Sequence, residues 1–168
     1  MNRPGTDEFA PYYQRYIDTV DDDVIDELET QATSFRDFIL SIPDDKADFA
    51  YAAGKWTVKE LLGHIIDTER IMTYRALRFS RNDLQPLPGF EENQYVENAR
   101  FRERTLPDLA EEFNLLRRAN LHFFRSLNEA ELHLKGVASG QGMSVRALLF
   151  VIAGHVHHHR RILSERYL

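Results

Sequence analysis

The stretch Ser144–His159 reads SVRALLFVIAGHVHHH, and the spacing of its apolar residues decides the class of fold. At about 100° per residue, the apolar positions of this segment cluster on one side of a helix. They are Val145, Leu148, Leu149, Ile152 and Val156, with Leu163 beyond the stretch. This pattern predicts an amphipathic helix that begins after Ser144, a residue type that caps helix N-termini. We expect the helix to run to Tyr167 and Leu168 at the C-terminus.

The same segment holds four of the seven histidines. His155 and His159 are four residues apart, so their rings lie one above the other on one helix face. His159 falls about 30° and His155 about 70° from the centre of the apolar stripe, whereas His157 and His158 lie about 130° away on opposite flanks. We therefore expect the first pair to face inward, where both imidazoles can reach one ion, and the second pair to be solvated or to support a site.

Three further segments have helical spacing. The first is Val24–Leu40, preceded by three aspartates that favour a helix N-terminus. The second begins at Thr57–Glu60, which has the form of a capping box, and extends to Ser80. The third begins at Thr105–Asp108, with proline in its first turn, and continues to about Leu127.

Connections complete the predicted topology. Residues Arg81–Arg104 and Asn128–Gly142 have little periodicity, and no segment resembles a strand hairpin. A connection of about 24 residues can run the length of a bundle at about 3.3 Å per residue, so helices two and three can be parallel. The prediction is an all-α, four-helix bundle with up-down-down-up topology, a long crossover between helices two and three, and one domain over residues 1–168.

Composition limits the function classes. The net charge of −6 argues against a nucleic-acid surface, which needs a basic excess. The absence of cysteine excludes disulfides, thiolate zinc sites and a cysteine nucleophile. No apolar run approaches a membrane span, and no secretory signal precedes the first helix. We expect a cytoplasmic protein that acts on a small-molecule substrate, without nucleic-acid or membrane partners.

His64 is the third candidate ligand. Periodicity places it at the edge of the buried face of helix two, about 10 Å from the start of that helix. If helices two and four are antiparallel neighbours, His64, His155 and His159 lie at similar height. Three neutral imidazoles with an open position are typical of a catalytic zinc site, and nickel or iron also accept such ligands. The alternative is a polar surface tract with an incidental histidine pair.

Two carboxylates are candidates for proton transfer or for orienting the ligands. Glu69 falls near the centre of the helix-two stripe, where an unpaired charge is costly. It either forms an ion pair with Arg70, Arg75 or Arg78 or acts as a general base. Asp67 lies three residues after His64, where it either orients that ring or is solvated.

Several segments together closely resemble the DinB-like superfamily, which includes the YfiT-type metal-dependent hydrolases. They read YAAGKWT at 51–57, GHIIDTER at 63–70, YRAL at 74–77, LPGF at 87–90 and GHVHHH at 154–159. The resemblance implies a four-helix up-down-down-up bundle, commonly a homodimer, that binds a divalent ion such as zinc or nickel. It implies that His64, His155 and His159 are the ligands, and that relatives include hydrolases and thiol S-transferases that use a low-molecular-weight thiol.

Two functions remain open at this stage. In the first, the chain is an enzyme whose metal activates water or a thiol, with a polar groove lined by Arg75 and the Arg81–Arg104 connection. In the second, it is a non-catalytic bundle that acts in a stress response or as a binding module. A fourth protein ligand, such as His158, Glu91 or Glu92, then completes the coordination of its metal.

Overall fold

Four long helices form the body of the protein in the computed structural model, which describes residues 1–168. They are α2 (Val24–Leu40), α3 (Val58–Ser80), α5 (Leu106–Ser126) and α7 (Val145–Ile162). Three short helices lie between or before them: α1 (Gln14–Ile17), α4 (Glu92–Asn98) and α6 (Glu129–Leu132). Strands β1 (Lys135–Ala138) and β2 (Gln141–Ser144) pair as an antiparallel hairpin. Single turns of 3₁₀ helix occur at Pro11–Tyr13, Asp44–Lys46 and Phe101–Glu103.

Side-chain caps set the starts of the long helices. The Thr57 hydroxyl accepts from the Glu60 backbone N–H at 3.3 Å, and the Glu60 carboxylate accepts from the Thr57 backbone N–H at 2.8 Å. This is the predicted capping box at the start of α3. Thr105 caps α5 and Ser144 caps α7 in the same way, through the N–H groups of Asp108 and Ala147. The predicted starts are confirmed.

Two apolar clusters define the directions of the helices. One cluster joins the N-terminal halves of α2 and α7 to the C-terminal halves of α3 and α5. The other joins the C-terminal halves of α2 and α7 to the N-terminal halves of α3 and α5. Helices α2 and α7 therefore run one way and α3 and α5 the other. This confirms the up-down-down-up bundle with a long crossover between α3 and α5.

The structure corrects the prediction that no strand hairpin is present. Ser139 and Gly140 connect β1 to β2, with φ of 52° and 74°. Positive φ at both central residues is the two-residue turn that matches the twist of a hairpin. Leu87 joins this hairpin, because its N–H donates to the Val137 carbonyl at 2.9 Å and its carbonyl accepts from the Ser139 N–H at 3.1 Å. The crossover is thereby anchored beside the bundle, and it also contains α4, which the weak periodicity did not predict.

Both ends of the chain differ from the sequence prediction. Helix α7 stops at Ile162, and residues Leu163–Tyr167 form a π-helical turn instead of continuing the α-helix. Residues 11–17, which were not predicted to be helical, form the Pro11–Tyr13 turn and α1, and Tyr16 of this segment is buried in the core. None of the helices combines the length and the apolar character that crossing a bilayer requires.

Candidate metal centre

Three histidines from two helices meet inside the bundle. His64 lies in the second turn of α3, and His155 and His159 lie in the second half of α7, which runs antiparallel to α3. The Nε2 atom of His155 is 3.1 Å from that of His64 and 3.0 Å from that of His159. Their side chains offer one ligand atom each, all within 4.8 Å of one another. The structure thus brings together the three residues that helical spacing selected.

The three imidazoles are neutral at ordinary pH. Burial lowers the pKa of His64 to about 4, and the residues are 4%, 6% and 8% exposed in chain order. Burial, with smaller repulsion from His64, lowers the pKa of His159 to about 2. Burial also holds the pKa of His155 well below its ordinary value. Neutral imidazole is the form that binds metal ions.

The donor set fits a divalent ion of the zinc type. Imidazole nitrogens bind zinc at about 2.0–2.1 Å, which places two ligands of one tetrahedral shell about 3.3 Å apart. The 3.0 and 3.1 Å separations between Nε2 atoms are close to that value. No carboxylate or fourth histidine belongs to the group, so the protein offers three candidate ligands and leaves one side of the cluster open.

That open side faces a cavity of about 240 Å³, which all three histidines line. The other lining residues come from the N-terminal segment, α3, the crossover, the hairpin turn and α7. They are Tyr12, Tyr13, Arg15, Tyr16, Trp56, Thr68, Met72, Arg75, Phe90, Glu92, Ser139, Val151 and His158. Arg75 and the crossover therefore line a polar cavity beside the histidines, as predicted. A concave pocket in which polar groups converge beside a metal-type cluster is a common form of small-molecule site.

One wall comes from the N-terminal segment. The ring of Tyr16 packs edge-on against His155 and His158, with centroids 5.7 and 5.3 Å apart. The Arg15 guanidinium lies over the Tyr12 and Tyr16 rings and donates to the Tyr16 hydroxyl at 2.9 Å. Burial raises the pKa of Tyr16 above its ordinary value, with the hydroxyl of Tyr12 as the second cause. The sequence analysis did not connect these aromatic residues with the histidines.

Trp56 forms part of the opposite wall. Its ring packs on that of His64, with the centroids 4.7 Å apart. A second cavity of about 250 Å³, which includes Lys55 and Tyr167 in its lining, shares Trp56 and His159 with the first. Trp56 packs against the core and also restricts the space around the candidate ligands.

The remaining two histidines of the tract have different environments. Nε2 of His157 is 2.8 Å from the Glu27 carboxylate on α2, outside the cavity. His158 is half-buried and lines the cavity, and its ring packs on that of His159 with centroids 4.9 Å apart. Neither belongs to the group of converging ligand atoms. Their flank positions agree with the helical-wheel prediction.

Glu69 forms a buried ion pair, but the predicted partners were wrong. Arg117 on α5 donates to both carboxylate oxygens of Glu69 at 2.7 and 2.8 Å, and Asn120 donates to one at 3.1 Å. Arg117 also donates to the Leu28 carbonyl and the Gln31 side chain on α2. Glu69 faces α5, which runs beside α3, whereas Arg70, Arg75 and Arg78 bind other groups.

Asp67 and Glu69 do not line the cavity. Asp67 accepts from Arg70 at 3.4 Å on the protein surface, and burial raises its pKa despite that contact. A general-base or orienting role for either residue gains no support from these contacts. Of the two crossover carboxylates considered as a fourth ligand, Glu92 lines the cavity and Glu91 does not.

These features define a helical-bundle protein with a candidate three-histidine metal centre. The model of the DinB superfamily matches residues 27–163, which include all three histidines, and the chain belongs to that superfamily. Among solved structures, the chain is similar to YfiT from Bacillus subtilis, described as "a probable metal-dependent hydrolase with an unusual four-helix bundle topology". The match has 15% identity and a TM-score of 0.71, and covers 98% of this chain and 91% of that one. A search of curated proteins finds no match.

Proposed function

We propose that this protein is a divalent-metal-dependent enzyme that acts on a small electrophile, either by hydrolysis or by transfer to a low-molecular-weight thiol. One observation carries the proposal. Three neutral imidazole nitrogens converge without a fourth protein ligand, and their open side faces a cavity. Catalytic zinc sites keep such a position open, whereas structural sites are closed by four protein ligands. The name of the Bacillus subtilis neighbour supports the hydrolytic form of the proposal.

His64, His155 and His159 would hold the ion, which we propose to be zinc or nickel because both accept imidazole ligands. A divalent ion in such a site polarises an electrophile and lowers the pKa of a bound water or thiol to near neutrality. The contribution of the protein is to keep the three ligands unprotonated by burial and to orient them from two rigid helices.

The cavity walls bind and orient the substrate. Val151 and Met72 provide apolar surface, and the Arg15 and Arg75 guanidinium groups provide hydrogen-bond donors. The raised pKa of Tyr16 keeps its phenol protonated at neutral pH, so its hydroxyl remains a neutral polar group beside the ligands. With Trp56 opposite, these residues restrict the access of bulk water to the reacting groups. In a homodimer, which we also propose, each chain has its own set of three histidines.

The first experiment is metal analysis of protein purified without a polyhistidine tag. We expect about one ion per chain after equilibration with zinc or nickel, and loss of the ion in His64→Ala, His155→Ala and His159→Ala. His122→Ala is the matched control, because His122 is exposed on α5 and outside the group. Absence of a bound ion, or its retention in all three variants, contradicts the proposal.

Activity assays then distinguish the two candidate functions, an enzyme and a non-catalytic metal-binding bundle. Loaded protein is assayed for hydrolysis of p-nitrophenyl acetate and for coupling of cysteine to monochlorobimane. We expect turnover in one assay, at least about 100-fold reduced in His155→Ala and unchanged in His122→Ala. Stoichiometric metal with no turnover in either assay favours the non-catalytic bundle.

A further inference from the structure

Arg75 differs from the other buried charged residues of this protein. Five charged side chains are buried: Glu8, Lys59, Glu69, Arg75 and Arg117. Four of them form ion pairs, since Glu8 pairs with Arg146, Lys59 with Asp48 and Glu69 with Arg117. Arg75 is 2% exposed and has no carboxylate within 4.0 Å. A buried charge without a partner is costly, so an unpaired guanidinium at a cavity indicates a missing anion.

Neutral groups hold the Arg75 side chain in place. Its Nη2 donates to the Pro88 carbonyl at 3.2 Å and to the Ser139 hydroxyl at 3.0 Å, and its Nη1 contacts the Met72 sulfur at 3.7 Å. The Tyr13 hydroxyl is a further neutral neighbour of the guanidinium. A guanidinium has five N–H donors, so these four contacts leave one of them without a protein acceptor. The pairing of Leu87 with the hairpin brings both oxygen acceptors to Arg75. The result is a fixed cation with a free N–H donor.

The charge of the cavity lining favours an anion. Arg15 is a second guanidinium in the same lining, and Glu92 is the one carboxylate. Glu92 forms no ion pair with Arg15 or Arg75, and burial is the main cause that raises its pKa. The candidate metal ligands in this lining are neutral. The cavity thus has an excess of positive charge even before a metal ion binds.

We propose that Arg75 binds a carboxylate of the substrate or of the thiol co-substrate, whose reacting end lies at the three histidines. This inference rests on the proposed function for the location of the reacting end. A free guanidinium N–H donates a charge-assisted hydrogen bond to a carboxylate, which is stronger than a hydrogen bond between neutral groups. The cavity of about 240 Å³ suits a small organic acid. Arg75 is therefore a specificity residue that selects molecules with a carboxylate.

The test compares thiol acids with their neutral amides. Zinc-loaded protein is titrated calorimetrically with mercaptoacetate, 3-mercaptopropionate and 4-mercaptobutyrate, and with the three corresponding amides. The three chain lengths sample the separation between the metal centre and Arg75. The variants are Arg75→Gln and, as a matched loss of charge at an exposed position, Arg118→Gln. Comparing the acid-to-amide affinity ratio between proteins cancels the difference in thiol acidity.

We expect at least one acid to bind wild-type protein about tenfold or more tightly than its amide, as for a charge-assisted hydrogen bond. The preference should fall to within about twofold in Arg75→Gln, with amide affinity and metal content retained, and persist in Arg118→Gln. No preference in the wild type, or an equal preference in Arg75→Gln, overturns the proposal. If no ion binds, the proposed function is wrong. The acid-to-amide affinity ratio of metal-free wild-type protein, compared with that of metal-free Arg75→Gln, then tests the carboxylate site independently.

Discussion

The Nε2 atoms of His64 and His155 are 3.1 Å apart, although the two residues are 91 positions apart in the sequence. A second such contact joins His155 to His159. Two unprotonated nitrogens at this distance repel each other through their lone pairs. The contact is favourable only if one nitrogen donates its proton to the other or if both bind one cation. The antiparallel packing of α3 and α7 therefore creates a site that a bound divalent ion would stabilise.

Metal binding should raise the thermal stability of the protein. An ion that binds only the folded state at about 1,000 times its Kd adds about 4 kcal/mol, which corresponds to roughly 10 °C in Tm for a chain of this size. We expect this increase when zinc is added to chelator-treated wild-type protein, and no increase for His155→Ala. Calorimetry at matched protein concentration measures both. An equal increase in His155→Ala would place the ion elsewhere.

The metal-free protein should lose stability in mild acid. The pKa of His64 is about 4 in the folded state against 6.5 for the free side chain, so the unfolded state binds more protons between these values. The free energy of unfolding should therefore be constant above about pH 7 and fall as the pH decreases from 6.5 to 4. The contribution of His64 is about 3 kcal/mol. Urea unfolding across this range measures it.

The control for the acid effect is His64→Gln, which lacks the titrating imidazole. Its unfolding free energy should fall less steeply than that of the wild type between pH 6.5 and 4. Parallel pH profiles for the two proteins would show that other groups, such as His155 and His159, whose pKa values burial also lowers, cause the acid sensitivity.

The buried pair of Glu69 and Arg117 should be more costly to break than to replace. Glu69→Leu leaves the fully buried Arg117 without a carboxylate, and we expect a loss of about 3–5 kcal/mol. The double variant Glu69→Leu, Arg117→Met removes both charges and should recover most of that loss. Urea unfolding of the two single variants and the double variant gives the coupling free energy. Additive effects would show that the pair does not act as a unit.

Most of the bundle could be predicted because its signals are local. Caps at Thr57, Thr105 and Ser144 and one-sided apolar stripes set the long helices without reference to distant residues. The hairpin has no such signal, because KGVA and QGMS lack alternating apolar residues and the turn depends on a positive φ at Ser139. Pairing with Leu87 and packing against α3 stabilise it, and these are long-range contacts.

The same distinction applies to the site. The relation between His155 and His159 is a property of one helix, and the height of His64 follows from residue counting along α3. Arg117 was missed as the partner of Glu69 because a charged residue on a helix is usually solvated, and only the packing of α5 against α2 and α3 buries it. The contact of Tyr16 with His155 depends on how closely α1 approaches α7.

Removal of the Arg75 charge should not destabilise the protein, in contrast to Glu69→Leu. Arg75 has no carboxylate partner, so Arg75→Met removes a buried charge while it retains apolar volume. We expect the free energy of unfolding to stay equal or to rise by about 1 kcal/mol, as is common when a functional residue is removed. A loss of more than about 2 kcal/mol in urea unfolding would indicate a structural role that its neutral contacts do not explain.

Gly154 should be required for the wall that Tyr16 forms. A Cβ atom at position 154 would lie 2.2 Å from the Tyr16 carbonyl oxygen, a backbone atom that cannot move away as a side chain can. Gly154→Ala should therefore displace α1 from α7 and cost about 1–3 kcal/mol, as in other overpacked cores. Gly142→Ala is the matched control, because a Cβ there meets nothing within 4 Å. Urea unfolding measures the cost, and limited proteolysis reports detachment of the N-terminal segment.

Since α3 and α7 still hold the three histidines, Gly154→Ala should bind zinc with the wild-type stoichiometry while affinity for thiol acids decreases. Equal stability of the two alanine variants would mean that α1 can shift without cost, and the Tyr16 wall would then be too loosely held to shape the cavity.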